Sequence, residues 1–203
     1  YRAKRVGCRV VGIDINERMV ERAKERAKRM GVEDKVEFKV ANAQELPFED
    51  NQFDVVISES VIAMVEDKQR TINECMRVMK PGGYVGLNET TLLKGSPPTE
   101  IVEFMANSTP GANVESLSAD DWEELLANSG LRDIVVKPIE VKAGSEAKLM
   151  LTRYGLKHMA KTIFRMMALR RRSPSYRQFA KEAQSAPREM AEYYGYGIYV
   201  GRK

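Results

Sequence analysis

Short apolar runs alternate with longer amphipathic segments along roughly the first 90 residues of the chain. The runs at 9–13, 36–40, 53–58 and 84–87 are typical of strands, and the segments at 17–30 and 67–79 are typical of helices. Asn16 can cap the first helix, and Gly31 can end it in a left-handed conformation. The run FDVVIS at 53–58 is almost wholly apolar, which predicts a strand buried on both faces.

Strands that alternate with helices of this length predict a parallel sheet, because parallel neighbours need long crossover connections. Ser118 and Asp121 form a capping box that opens a further helix, and Pro138 marks the next strand as a sheet edge or as a break in the strand. That strand spans 133–141, helices within 146–192 break near Ser173–Pro174, and a closing strand spans 193–200. We expect an α/β, doubly wound, Rossmann-like sheet that is mostly parallel, with a C-terminal antiparallel strand and added C-terminal helices.

Length and charge limit the classes of protein to consider. At 203 residues and 43% hydrophobic composition, one domain over 1–203 is expected, with 144–192 as a helical insertion or lid. Residues 144–203 carry 13 Lys/Arg against 4 Asp/Glu, so the net charge of +4 arises from this part. The only two cysteines, Cys8 and Cys75, argue against a disulfide framework and favour a cytoplasmic setting. No apolar run approaches the roughly 20 residues of a membrane span.

Polar side chains follow four of the predicted strands. Ligands of an open parallel sheet bind beyond the carboxyl ends of the strands, which selects Asp14, Asn42, Ser58–Glu59 and Asn88–Glu89. An ionised carboxylate at a strand end can accept hydrogen bonds from both hydroxyls of a ribose, and Asp14 is placed to do so. Alternatively, Asp14 only helps to cap the following helix, and the spacing alone leaves both roles open.

Three segments in this order carry a family resemblance. VVGIDINERM, VEFKVANAQELPFEDNQFDVVISESV and ECMRVMKPGG resemble the class I S-adenosylmethionine-dependent methyltransferases of the small-molecule type (type 11), which include quinone-ring methyltransferases. The resemblance covers roughly residues 1–90. It implies S-adenosylmethionine as cofactor, S-adenosylhomocysteine as product, and methyl transfer to a small, apolar or lipid-like acceptor.

The resemblance also implies roles for the residues that bind the cofactor. Asp14 would hold the ribose hydroxyls, Ile15 would pack on the adenine, and Ser58 would lie beside the methionine part. Asn42 stands where the family usually has Asp, but its amide oxygen can still accept from the adenine amino group, and Ala43 would offer its backbone amide. The family's first strand and glycine-rich turn have no counterpart, which predicts either a truncated chain or a degenerate relative.

Two acidic residues are candidates for chemistry on the acceptor side. Methyl transfer mainly requires in-line positioning, with a base only where the nucleophile must lose a proton. Glu59 and Glu89 are the candidate bases or orienting groups, although either could be a solvated loop acid. His158, the only histidine, is expected on a helix surface or between helices, and Trp122 in the core. No metal-site spacing occurs, so no metal is predicted.

Other functions compete with methyl transfer. A catalytically silent methyltransferase-like subunit could bind a partner through an exposed sheet edge. Nucleic-acid binding is disfavoured, because only Tyr154 and Phe164 supply aromatic rings to the basic stretch at 153–172. The Asn/Asp-Pro-Pro-Tyr/Phe signature of base methylation is also absent after the strand at 53–58, where ISESVIAM stands instead.

The segment at 146–172 combines an apolar stripe with a basic one. At helical spacing, the apolar stripe contains Leu156, Met159, Ile163, Met166 and Met167, and the basic stripe contains Arg153, Lys157, Lys161 and Arg165. One interpretation is a helix that packs its stripe on the domain with its basic side in water. The other is a lid over the acceptor pocket that also contacts an anionic membrane.

Overall fold

The computed structural model describes residues 5–108, 117–141, 145–187 and 189–203, whose strands form two sheets. In chain order the strands are β1 (Val10–Asp14), β2 (Val36–Val40), β3 (Phe53–Glu59), β4 (Met79–Leu92), β5 (Arg132–Ile139) and β6 (Tyr194–Arg202). β1 and β2 form a parallel pair, and the other strands form a sheet in the order β3-β4-β6-β5. β3 and β4 are parallel, whereas β6 is antiparallel to both of its neighbours. The α/β prediction with a C-terminal antiparallel strand and an edge strand at Pro138 is confirmed.

Seven helices connect or flank these strands in the described part of the chain. They are α1 (Glu17–Met30), α2 (Lys68–Val78), α3 (Thr99–Ser108), α4 (Ala119–Asn128), α5 (Ser145–Arg172), α6 (Pro174–Gln184) and α7 (Met190–Tyr193). Asn16 caps α1 by accepting from the amide of Arg18, and Gly31 ends it at φ 61°. Ser118 and Asp121 form the predicted capping box of α4, and the bonds from Ser118 lower the pKa of the Asp121 carboxyl. These local predictions are confirmed.

The core lies between one face of the four-stranded sheet and the helices α2 and α4. Its buried members include Ile72, Cys75, Val85, Leu87, Trp122, Leu126 and Tyr199. The rings of Trp122 and Tyr199 lie 5.6 Å apart, and the indole N–H of Trp122 donates to the carbonyl of Thr90. Cys75 is a core residue, and its burial raises the pKa of the thiol to about 12. The predicted core position of Trp122 is confirmed.

The other face of the same sheet carries exposed apolar side chains. Val55 and Ile57 on β3 are 52% and 43% exposed, and Tyr84, which pairs with Val55, is 46% exposed. Paired residues share a face of a sheet, and α2 and α4 pack on the opposite one. Among the described strands, β3 pairs only with β4. The prediction that β3 is buried on both faces is therefore wrong for these side chains.

Two of the helices between β5 and β6, α5 and α6, are joined by a sharp break. α5 is interrupted at Gly155, whose φ of 74° lies in the left-handed region that favours glycine. Ser173 caps α6 by accepting from the amide of Tyr176, which confirms the predicted break near Ser173–Pro174. Arg177 of α6 donates to the carbonyl of Arg171 at 3.2 Å, so it holds the end of α5. None of the described helices has the length and apolar composition to cross a bilayer.

Candidate functional site

Asp14 ends β1 with an exposed side chain at the carboxyl edge of the two-stranded sheet. Its Oδ1 accepts from the amide of Asn16 at 2.8 Å, and Asn16 in turn caps α1. The capping role of Asp14 is thus observed. It uses only Oδ1, so the Oδ2 atom of this exposed carboxylate can accept a further hydrogen bond. Ile15 follows directly and is 74% exposed. A carboxylate and an apolar side chain therefore stand side by side at this strand end.

Asn42 lies at the same edge, just beyond β2, the strand that pairs with β1. The amide of Ala41 donates to the carbonyl of Asp14 at 3.1 Å, which joins the two strand ends. The Oδ1 of Asn42 accepts from the amide of Gln44 at 2.9 Å, which orients the Asn42 side chain within the turn. Ala43 is half-buried in this turn. The structure thus brings the four residues predicted for ribose and adenine into one place.

Arg77 on α2 holds the loop that follows β2. Its guanidinium donates to the carbonyls of Leu46 and Phe48 at 3.0 and 2.8 Å. It also pairs with Asp50 at 2.8 Å and with Glu74 at 2.7 Å. The hydrogen bond from Arg77 lowers the pKa of the Glu74 carboxyl, which accepts from the amide of Leu46 as well. Sequence reasoning missed Arg77, whose only signal is a basic residue late in an amphipathic helix.

Glu89 on β4 is fully buried and lies beside the end of β3. Its Oε1 accepts from the Ser58 hydroxyl at 2.8 Å and from the amides of Val61 and Ile62 at 3.2 and 3.1 Å. Its Oε2 accepts from the amide of Ala63 at 3.2 Å. The acceptor-side role of Glu89 stays a prediction, but the geometry favours a different one, because both oxygens face donors of the protein itself.

Glu59, the other acidic candidate, is exposed at the end of β3 and pairs across the sheet with Asn88. Together with Ser58 it borders an open groove of about 410 Å³ on the uncovered side of the sheet. A larger open groove of about 770 Å³ lies between the start of α2 and α4, and it contains none of the predicted site residues. Its lining is mostly polar and offers little apolar surface to a small apolar ligand. We therefore place the candidate site at the strand ends, where the predicted residues lie.

The predicted site residues form two groups on different sheets, and all of them lie near strand ends except Glu89, which lies within β4. Asp14, Ile15, Asn42 and Ala43 lie at β1 and β2, and Ser58, Glu59 and Glu89 lie at β3 and β4. Gln44 links the loops, because its Oε1 accepts from the amide of Asp67 at the start of α2 at 2.8 Å. His158 is exposed on α5, as predicted. In the described ranges, no group of three or more His, Cys, Asp or Glu residues is arranged to hold a metal ion.

Sequence comparison relates the chain to methyltransferases. Residues 1–87 match the family described as methyltransferase domain. The chain is 35% identical to an uncharacterized protein of Haemophilus influenzae over 134 residues. This stretch covers 65% of this chain and 53% of that protein. The chain is 34% identical over 122 residues to the 27-O-demethylrifamycin SV methyltransferase of Amycolatopsis mediterranei, covering 60% and 45%. The chain thus spans about half the length of these curated relatives.

Solved structures share the fold at low sequence identity. Phosphoethanolamine N-methyltransferase 2 of Haemonchus contortus superposes with a TM-score of 0.77 at 20% identity, covering 100% of this chain and 45% of that one. The [4+2]-cyclase SpnF superposes at 0.69 with 21% identity, covering 99% and 69%. One fold can therefore host different reactions, and these likenesses establish the fold alone. Residues 1–87 are therefore similar to a methyltransferase domain, and the whole chain shares the fold of these solved structures.

Proposed function

We propose that the full-length protein transfers a methyl group from S-adenosylmethionine to a small, apolar or lipid-like acceptor. The observation that carries this proposal is the grouping of Asp14, Ile15 and Asn42 at one edge of the β1–β2 sheet, at the carboxyl ends where this class of fold binds ligands. The cofactor supplies a methyl group on an activated sulfonium. The residues of this chain bind and orient it.

The side chains at this edge have the chemistry that a nucleoside requires. Asp14 offers an exposed carboxylate, which can accept from ribose hydroxyls while Oδ1 stays bonded to the turn. Ile15, at 74% exposure, offers apolar surface to one face of a base. The amide oxygen of Asn42 keeps a second lone pair for an exocyclic amino group, because Gln44 occupies only one. These side chains have the chemistry that suits the adenosine part of the cofactor, which supports the proposal.

On the acceptor side, Glu59 is the candidate base or orienting group. It is exposed one residue beyond Ser58, which we assign to the methionine part of the cofactor. The apolar or lipid-like class of acceptor is suggested by two comparisons. A demethylmenaquinone methyltransferase of Lactobacillus johnsonii is 26% identical over 166 residues, and a geranyl diphosphate methyltransferase shares the fold with a TM-score of 0.67 at 17% identity.

Calorimetry of the full-length protein with S-adenosylmethionine and S-adenosylhomocysteine tests this proposal. We expect one site for each ligand, and methyl transfer from labelled S-adenosylmethionine into an organic-solvent extract of acceptors. Absence of binding to both ligands would contradict the proposal and support the alternative of a catalytically silent binding subunit. Binding without transfer to any acceptor class would contradict the enzymatic part.

We further propose that α5 and α6 contact an anionic lipid surface, from which an apolar acceptor would reach the site. Leu156, Ile163, Phe164 and Met167 share one side of α5 and define its apolar face. They are 76%, 54%, 76% and 56% exposed. Of the stripe predicted from the sequence, Leu156, Ile163, Met166 (49% exposed) and Met167 are exposed, so the interpretation that it packs on the domain is wrong for these residues, whereas Met159 is half-buried.

Charge selects the kind of surface that this face would meet. Residues 147–181 contain ten Lys/Arg and no Asp/Glu. Lys161 and Arg165 are exposed and lie away from the apolar face of α5, whereas the side chains of Arg153 and Lys157 lie outside the described residues. Each basic side chain near an anionic bilayer contributes on the order of 1 kcal/mol, and the apolar face adds hydrophobic insertion.

Sedimentation of the full-length protein with vesicles tests this contact. We expect binding to vesicles that contain 30–40% phosphatidylglycerol, a composition of roughly physiological anionic charge, and loss of binding in phosphatidylcholine alone or at high salt. The double variant Ile163→Ser/Phe164→Ser should reduce binding about tenfold or more, whereas Val102→Ser, at a 45% exposed position on α3, should not. Equal binding to both lipids would contradict selection of an anionic surface. Absence of binding to anionic vesicles would contradict the membrane contact and would leave another part of the protein as the partner of this face.

A further inference from the structure

Glu89 is a buried carboxylate whose role the family resemblance does not supply. We infer that Glu89 is a positioning residue that fixes the post-β3 segment (residues 58–63) and, through Ser58, sets the methionine side of the cofactor site. This inference rests on the proposed function for its catalytic consequence. Its structural half, the fixing of the segment, stands on the geometry of the described residues alone.

The backbone of the post-β3 segment forms a cradle of amide groups. Ser60 adopts φ 56°, a left-handed conformation that is uncommon for a residue other than glycine, and its amide donates to the carbonyl of Asn88 at 2.8 Å. This reversal directs the next three amides, those of Val61, Ile62 and Ala63, at the Glu89 carboxylate. Successive amides of this kind usually make an anion site, and here a side chain of the protein occupies it.

Burial makes this arrangement expensive to disturb. Glu89 is 0% exposed, and a buried carboxylate is tolerated only where hydrogen bonds or charges compensate its desolvation. Three amides and the Ser58 hydroxyl provide that compensation, since no ion pair of Glu89 occurs in the described part of the chain. Thr91, two residues further along β4, is another buried polar residue, and its hydroxyl forms a hydrogen bond with that of Tyr199 at 2.7 Å.

The anchor acts on the proposed site through Ser58. The Ser58 hydroxyl donates to Oε1 at 2.8 Å, so the same oxygen holds Ser58 and two amides of the turn. In Glu89→Gln, the side chain keeps one acceptor oxygen and gains an NH₂ group that faces N–H donors. At least one bond of the cradle is lost, and the strand end that carries Ser58 loses its fixed position.

The test compares Glu89→Gln with Tyr199→Phe in the full-length protein. Tyr199→Phe removes the buried hydrogen bond between Tyr199 on β6 and Thr91, which lies two residues after Glu89 on β4. It leaves the bonds of the cradle in place, so it controls for general loss of stability. In Glu89→Gln we expect amide hydrogen exchange at residues 61–63, followed by NMR, to accelerate about tenfold or more, because bonds to charged groups are lost. We also expect affinity for S-adenosylmethionine to fall about tenfold, against less than about twofold in Tyr199→Phe.

The outcomes separate this inference from the proposed function. Unchanged exchange at residues 61–63 in Glu89→Gln would overturn the anchoring role. Faster exchange with unchanged cofactor affinity would overturn the positioning role and leave Glu89 as a structural residue. If the wild-type protein binds no S-adenosylmethionine, the proposed function fails, and the exchange measurement alone decides whether Glu89 fixes the segment. If Glu89→Gln does not fold, Ser58→Ala, which removes only one of the four bonds, should show the same two effects in smaller measure, and the absence of both would overturn the inference.

Discussion

The strand-end loops and the α5–α6 pair are held in place by different means. At the strand ends, Arg77 and Glu89 direct their bonds at backbone groups, so a few polar side chains fix whole loops. On α5 and α6, large apolar side chains such as Phe164, 76% exposed, and Phe179, 61% exposed, meet water instead. Directed bonds fix one region internally, whereas the other exposes apolar side chains to solvent. Mutations in the two regions should therefore differ in how much they lower the free energy of unfolding.

Arg77→Met should have the larger effect on stability. The substitution keeps much of the apolar stem but removes the bonds of Arg77 to Glu74 and to the carbonyls of Leu46 and Phe48, while Glu74 keeps its bond from the amide of Leu46. Bonds to charged groups contribute about 1.5 to 3 kcal/mol, so we expect a loss of about 2 kcal/mol in the free energy of unfolding by urea denaturation. Arg70→Met is the matched control, because Arg70 makes an exposed pair with Glu45 at 3.7 Å and acts on the Glu74 carboxyl only as the last of the charges that lower its pKa, so it should cost less than about 0.5 kcal/mol.

The same network predicts a pH dependence. The pKa of Glu74 is lowered in the folded protein, so folding favours its charged form. The stability that Glu74 contributes is present above the ordinary carboxyl pKa, near 4.3, and is lost as the pH falls through the lowered value. The difference in stability between the wild-type protein and Glu74→Gln should therefore be largest near neutral pH and shrink in acid. A difference that grows in acid would contradict this account of Arg77 and Glu74.

Phe164→Ser should have the smallest effect on stability. An exposed side chain without buried contacts changes the free energy of unfolding by less than about 0.5 kcal/mol when it is replaced. Leu126→Ala in the core provides the scale, since its fully buried side chain should cost about 2 to 5 kcal/mol. A loss above about 1.5 kcal/mol in Phe164→Ser would show that this face is covered in the full-length protein, and it would remove the contrast between the two regions.

Local signals in the sequence were sufficient for most of the elements. Asn16 and Gly31 mark the two ends of α1, and Ser118 with Asp121 marks the start of α4. These ends could be predicted because caps involve residues only two to five positions apart. The grouping of Asp14 and Asn42 at one sheet edge could also be predicted, because parallel strands bring their carboxyl ends together. These features depend on neighbours in the chain and on one general property of sheets.

The features that the sequence did not predict depend on distant partners. The strand predicted at 84–87 extends to Leu92 in β4, because β6 pairs with it along residues 84–92. That extension buries Glu89, which a local pattern interpreted as a strand-end acid. Arg77 acquires its role only because the loop after β2 folds back onto α2. The exposure of Val55 and Ile57 likewise depends on which elements cover β3, and an apolar run cannot specify that.

The most direct test of the central claim is calorimetry of S-adenosylmethionine with Asp14→Asn in the full-length protein. This substitution removes the charge but keeps an oxygen that can still accept from the amide of Asn16, so the turn before α1 should persist. Loss of charge-assisted bonds worth about 1.5 to 3 kcal/mol should weaken binding roughly ten- to a hundredfold. An affinity equal to that of the wild-type protein, with the fold intact, would contradict the assignment of the cofactor to this strand end.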